Sequence, residues 1–182
     1  MKRFFAFLLL WLVVAMPLQA AIRAVDADGR KIRLDEPDRT TVVIYSNENL
    51  QKKTREAGKS LYPLQGLPEF KVVVIVDLHN SLALWAKNYT QYRMRKDLDE
   101  EAKRIEPFYR KNGNNGSPRK DVAAVADFDG SLCEKLHFMP GHLQAVVFGK
   151  NGKEVLRWTN LTDYDAFHHA VEGVVKNQTV KE

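Results

Sequence analysis

The chain has 182 residues, 45% of them hydrophobic, with 28 Lys plus Arg against 23 Asp plus Glu and a formal net charge of +5. Charges of both signs are interspersed rather than gathered into a basic stripe, so the positive balance describes a solvated surface and speaks against nucleic acid as a partner. A single cysteine, Cys133, excludes an intramolecular disulfide and any two-thiol redox cycle within the chain.

Met1, Lys2 and Arg3 make a basic start, and Phe4 to Met16 is an unbroken apolar run ahead of Pro17, Leu18, Gln19, Ala20 and Ala21. This is the charged, apolar and small-residue order of a secretory signal, and the run is too short for a membrane span of about 20 residues. The expectation is a signal peptide over residues 1–20, cleaved between Ala20 and Ala21, and one exported domain over residues 21–182. No stable membrane insertion should remain after cleavage. Removing residues 1–20 takes away two basic and no acidic residues, which leaves a net charge of +3. The roughly 160 residues that remain suit one domain with its own hydrophobic core.

Ile22–Val25 and Lys31–Leu34 read as a β-hairpin turned at Asp28-Gly29. Thr40–Tyr45 is a run of β-branched and apolar residues, expected as a buried central strand. Ser46 or Asn47 would cap a helix over about residues 48–61. Phe70–Asp77 repeats the apolar strand pattern, and strand, helix, strand in this order predict a right-handed parallel crossover. A long helix follows over about residues 80–106, with Leu82, Trp85 and Tyr89 and then Leu98, Ala102, Ile105 and Tyr109 at helical spacing, and Pro107 should end or kink it. The stretch 111–120, rich in Asn, Gly and Ser, reads as a flexible loop. Asp121–Asp127 is a third parallel strand, Gly130–Leu136 a short helix and Gln144–Phe148 a fourth strand. Lys150 to Lys153 turns the chain into a strand over Glu154–Trp158, and a last helix runs over about residues 163–176 with Thr162 as its cap.

The order of these elements resembles the thioredoxin-like superfamily, in its exported branch of peroxiredoxins and thioredoxin-like reductases. The resemblance rests on Val25 to Leu34 as the opening hairpin, Thr41 to Tyr45 as the strand leading to the active site, Ala126 to Leu132 after the third strand, and Ala145 to Val155 as the closing hairpin. It implies an α/β fold with an N-terminal β-hairpin, a central mixed sheet flanked by helices, and a long helical insertion between the second and third core strands. Active members of the family carry a Cys-x-x-Cys pair or a peroxidatic Cys where the first long helix begins. Here that stretch reads Ser46-Asn47-Glu48-Asn49-Leu50-Gln51, without a cysteine, and neither a hydroxyl nor an amide replaces a thiolate in disulfide exchange. The family's cis-proline, which faces that site, has its counterpart by order in Met139-Pro140, where a cis bond and an ordinary trans bond are both open.

Cys133 is the one candidate thiol. Its two readings are a single reactive thiol at a helix start and a small buried hydrophobe, the latter favoured by the adjacent Glu134 and the apolar Leu132, Leu136 and Phe138. The histidines His79, His137, His142, His168 and His169 raise a metal or small-ligand site, but their spacing matches no recognised ligand set, and His168 and His169 project about 100° apart on a helix. Asp77, Asp127 and Asp129 stand at strand ends, where carboxylates commonly cap loops. Trp85, Tyr89 and Tyr92 read either as packing against the sheet or, where aromatics exceed what the core needs, as a partner surface, and the long helix that carries them is the favoured place for binding. The resulting expectation is a non-catalytic exported binding or accessory protein, needing no cofactor and partnered by another envelope protein. Its rivals are a one-cysteine peroxidase-like enzyme and a histidine-based metal binder.

Overall fold

The computed structural model describes residues 21–179, and the signal segment expected over residues 1–20 lies outside the described residues. Strands β1 (Arg23–Val25) and β2 (Lys31–Arg33) pair as an antiparallel hairpin. Its turn is built as the Asp28-Gly29 pair requires: Gly29 takes φ +80°, and the Asp26 carboxylate accepts the amides of Asp28 and Arg30 at 3.0 and 2.8 Å. The Arg30 guanidinium bonds the same carboxylate and donates onward to the carbonyls of Lys120 and Val122, which fastens the hairpin to the edge of the main sheet.

That sheet has five strands in the order β5-β4-β3-β6-β7. The strands β3 (Thr40–Ser46), β4 (Phe70–Asp77) and β5 (Val122–Asp127) run parallel, while β6 (Gln144–Phe148) and β7 (Glu154–Trp158) are antiparallel additions. Every residue of β3 is buried because helices or loops cover both faces. Alternation divides the core: Val43, Tyr45, Ile75, Val125 and Val146 pack with the hairpin and the short helix α3 (Ser131–Lys135). Val42, Ile44, Ala145 and Val147 face α1 (Gln51–Ser60) and α4 (Tyr164–Thr179). Leu98, Ala102, Ile105 and Tyr109 of α2 (Lys87–Lys111) cover Val122 and Ala124, the stripe expected from their spacing.

Four local expectations need correction. Helix α1 starts at Gln51 rather than near residue 48, because the Asn47 side chain accepts the amides of Asn49 and Leu50 and holds the chain in a turn first. Pro107 does not end α2, which continues to Lys111. A proline inside a helix costs about 3 kcal/mol, yet Ile105 and Tyr109 on either side are both buried and keep the last turns against the sheet. The stretch 111–120 is tied down: Asn112 and Asn114 donate to the carbonyls of Gln65 and Gly66, and Arg119 bridges Asp28 and Asp99. The cap of α4 is Asp163, not Thr162, since the Asp163 carboxylate accepts the amides of Asp165 and Ala166.

Candidate functional site

Parallel strands put their C-terminal ends at one edge of the sheet, and the polar residues of that edge converge there. Asp77 ends β4 in register with Asp127 at the end of β5. Tyr45, one residue before the end of β3, donates its hydroxyl to Asp77 Oδ2 at 3.0 Å. His79 sets Nδ1 against Asp77 Oδ1, and the His79 backbone amide donates to the same oxygen at 3.2 Å. The other ring nitrogen of His79 meets the Asn80 amide. The result is a chain Tyr45–Asp77–His79 running from the buried sheet to the surface, with Asn47 on the Tyr45 hydroxyl at 3.4 Å. Gly130, at φ +76°, brings the start of α3 against the His79 ring; a Cβ there would stand 3.4 Å from the imidazole.

Asp127 serves the neighbouring side of the cluster. Its Oδ2 accepts the Cys133 amide at 2.9 Å, and the thiol is hydrogen-bonded to the same carboxylate. Burial raises the Asp127 carboxyl above its usual range and the nearby Asp129 raises it further, against the opposing effect of the Cys133 amide. Asp129 is shifted the other way, below its ordinary value, by bonds to the Ser131 hydroxyl and amide. The Cys133 side is dry: Leu136 and Phe138 pack in the same cluster, and the Phe138 ring lies 5.5 Å from that of Tyr45. Burial pushes the Cys133 thiol far up, and the carboxylates of Asp127 and Asp77 push it further. Burial likewise pushes the Tyr45 hydroxyl up to about 12, with Asp77 adding to the shift. Both shifts favour the protonated forms over the thiolate and the phenolate.

No protein-family model matches the chain, and no curated protein matches it. Solved structures do. The exposed lipoprotein thioredoxin of Streptococcus pneumoniae superposes with a TM-score of 0.55 at 14% identity, over 85% of this chain and 99% of that one. A putative thioredoxin from Neisseria meningitidis gives 0.56 at 12% identity, over 88% and 91%. The fold is thioredoxin-like. A peroxiredoxin-like protein from Aquifex aeolicus matches at 0.50 and 17% identity, over 85% of this chain and 84% of that one.

Within the thioredoxin-like fold, the place the resemblance gives to the reactive thiol is the turn from β3 into α1, and the side chains there are Asn47, Glu48, Asn49 and Leu50. Glu48 reaches across to accept the Ser81 hydroxyl, which links this turn to the segment after β4. The described residues contain no cis peptide bond, so Met139–Pro140 is trans. The residue immediately ahead of β6 is Leu143, fully packed at 1% exposure, while Pro140 sits exposed in the preceding loop.

Of the residues singled out in the sequence, Asp77, His79, Asp127, Asp129 and Cys133 come together at this edge. His137 and His142 are exposed and join no metal-ligating group among the described residues. Trp85, Tyr89 and Tyr92 lie around the start of α2, with Trp85 91% and Leu82 85% exposed. The sequence reading missed Tyr45, whose hydroxyl is invisible in a pattern that records only a buried strand. It also separated His168 from His169, which the structure gathers with Glu172 on α4.

Proposed function

We propose that the chain is an exported, non-catalytic thioredoxin-like binding module that engages another protein of the cell envelope through the surface of Leu82, Trp85, Tyr89 and Tyr92. The observation that carries this reading is the combination of a thiol-free turn at Asn47–Leu50 with a lone thiol, Cys133, that is buried. Exchange chemistry needs an accessible thiolate. The aromatic surface supports the binding half: rigid, exposed Trp and Tyr side chains that no core uses are the composition of recognition sites. Export is supported by the signal pattern of residues 1–20 and fits the exposed lipoprotein among the structural neighbours. The rival assignment, a peroxidase using Cys133, has less support because a buried thiol facing two carboxylates reacts slowly.

Insulin reduction and peroxide consumption test the catalytic half, and no turnover above buffer is expected. Turnover that persists in Cys133→Ser, or peroxidase activity lost on that substitution, overturns it. A photo-crosslinking residue at position 85 tests the binding half: a discrete envelope-protein adduct is expected, and its yield should fall when Tyr89 and Tyr92 are replaced by Ala. Absence of any adduct from cells that export the protein overturns that half.

A further inference from the structure

One side of α4 carries the half-buried His168 and Glu172 and the exposed His169, and each offers a ligand atom within 4.8 Å of the other two. Spacings of three and four residues put His169 and His168 respectively one helical turn before Glu172. The imidazoles lie edge to face, with centroids 5.4 Å apart. His168 Nδ1 is shielded from solvent and has no hydrogen-bond partner. The Glu172–Lys176 contact at 2.9 Å is a surface pair whose Lys176 side chain is 70% exposed, so it opens at little cost.

We infer that His168, His169 and Glu172 form a binding site for one divalent transition-metal ion of borderline softness, with Zn2+ as the type case. Two imidazoles and one carboxylate are an established zinc donor set that leaves a fourth, open position for water or a carboxylate from a partner. Tetrahedral Zn–N bonds of 2.0–2.1 Å ask for ligand atoms about 3.3 Å apart, so atoms now within 4.8 Å of one another have to draw together, on a helix fixed by Phe167, Val171 and Val175 in the core. Imidazole selects Zn2+, Cu2+ and Ni2+ over Mg2+ and Ca2+, which prefer all-oxygen shells. This site is independent of the polar edge around Asp77 and of the aromatic surface on α2.

Calorimetric titration of the purified protein with ZnCl2, and separately with MgCl2, tests the inference. One-to-one saturable Zn2+ binding and no Mg2+ binding are expected. His169→Ala and Glu172→Gln should each weaken Zn2+ at least about tenfold, while the double variant His137→Ala/His142→Ala leaves it unchanged. His169 is exposed, so its variant should fold, and an unchanged far-ultraviolet circular dichroism spectrum verifies this. Co2+ substitution supplies a second readout, with a tetrahedral visible absorption band that both single variants lose. Zn2+ affinity indifferent to His169→Ala and Glu172→Gln, or lost in the His137/His142 variant, overturns the site, as does failure to bind Zn2+ at all.

Discussion

Two carboxylates separated by the width of one strand pair behave differently because their surroundings differ. Asp77 receives the Tyr45 hydroxyl and His79, whereas Asp127 faces the Cys133 backbone and thiol from a dry pocket. Cys133 should therefore label slowly with iodoacetamide in the native protein and quickly in denaturant, and Cys133→Ala should cost about 1 kcal/mol, the scale of a small buried group. Asp127 gives a sharper test. Its folded value is raised, so the folded state binds the proton more tightly than the unfolded state does. The stability this contributes is present at low pH and lost as pH rises through the folded value. Asp127→Asn keeps an oxygen to accept the Cys133 amide but removes the buried charge. Urea unfolding at about pH 4 and about pH 7 should then show a smaller loss of stability with rising pH in the variant than in the parent. A steeper loss in the variant would contradict the desolvated description of Asp127.

Elements were legible in the sequence wherever one physical signal dominated. The runs Thr40–Tyr45, Phe70–Asp77 and Gln144–Phe148 read as strands and each is one within a residue, the first and last fully buried and Phe70–Asp77 half-buried at alternate positions. The stripe from Leu98 to Tyr109 likewise fixed the buried side of α2. Errors arose where a local rule met a tertiary contact that sequence does not display. Pro107 reads as a helix stop or kink, and the helix continues past it to Lys111 with Tyr109 buried beyond the proline. The Asn- and Gly-rich stretch after α2 reads as free, but Asn112 and Asn114 find the carbonyls left open around Gly66. At the candidate site, strand ends announced Asp77 and Asp127. The Tyr45–Asp77 bond joins residues 32 positions apart and needed the fold.

The same junction yields a paired prediction. Gly66 has φ +90°, and a Cβ on it would lie 2.7 Å from the Tyr109 Cα, so backbone would have to move. Gly66→Ala should cost at least about 2 kcal/mol by denaturant unfolding. Gly58, inside α1, has open space where its Cβ would go and no positive φ. Gly58→Ala should instead stabilise the protein, by up to about 1 kcal/mol. Equal effects at the two positions would mean that α2 does not close on this turn as described.

At the scale of the whole molecule, the five-stranded sheet supplies side chains to both layers at once. Val43 and Val146 feed the side of α3 and the hairpin, while Val42 and Val147, their immediate neighbours in sequence, feed the side of α1 and α4. Neither layer can lose its packing without exposing the shared strands, so unfolding should be a single cooperative event. Many small exported domains rely on disulfides for stability, but this chain, with one buried cysteine, has to rely on packing. The expected outcome is that far-ultraviolet circular dichroism and tryptophan fluorescence trace one coincident urea transition, and that its midpoint is the same with and without dithiothreitol. Trp158 reports on the α4 side through its edge contact with Phe167, at 4.8 Å between centroids, so fluorescence reads packing where circular dichroism reads backbone. An early fluorescence change would mean that the α4 layer separates from the sheet first. A midpoint lowered by dithiothreitol would mean that Cys133 forms a bond to a second chain, and would reopen the question of what its thiol does.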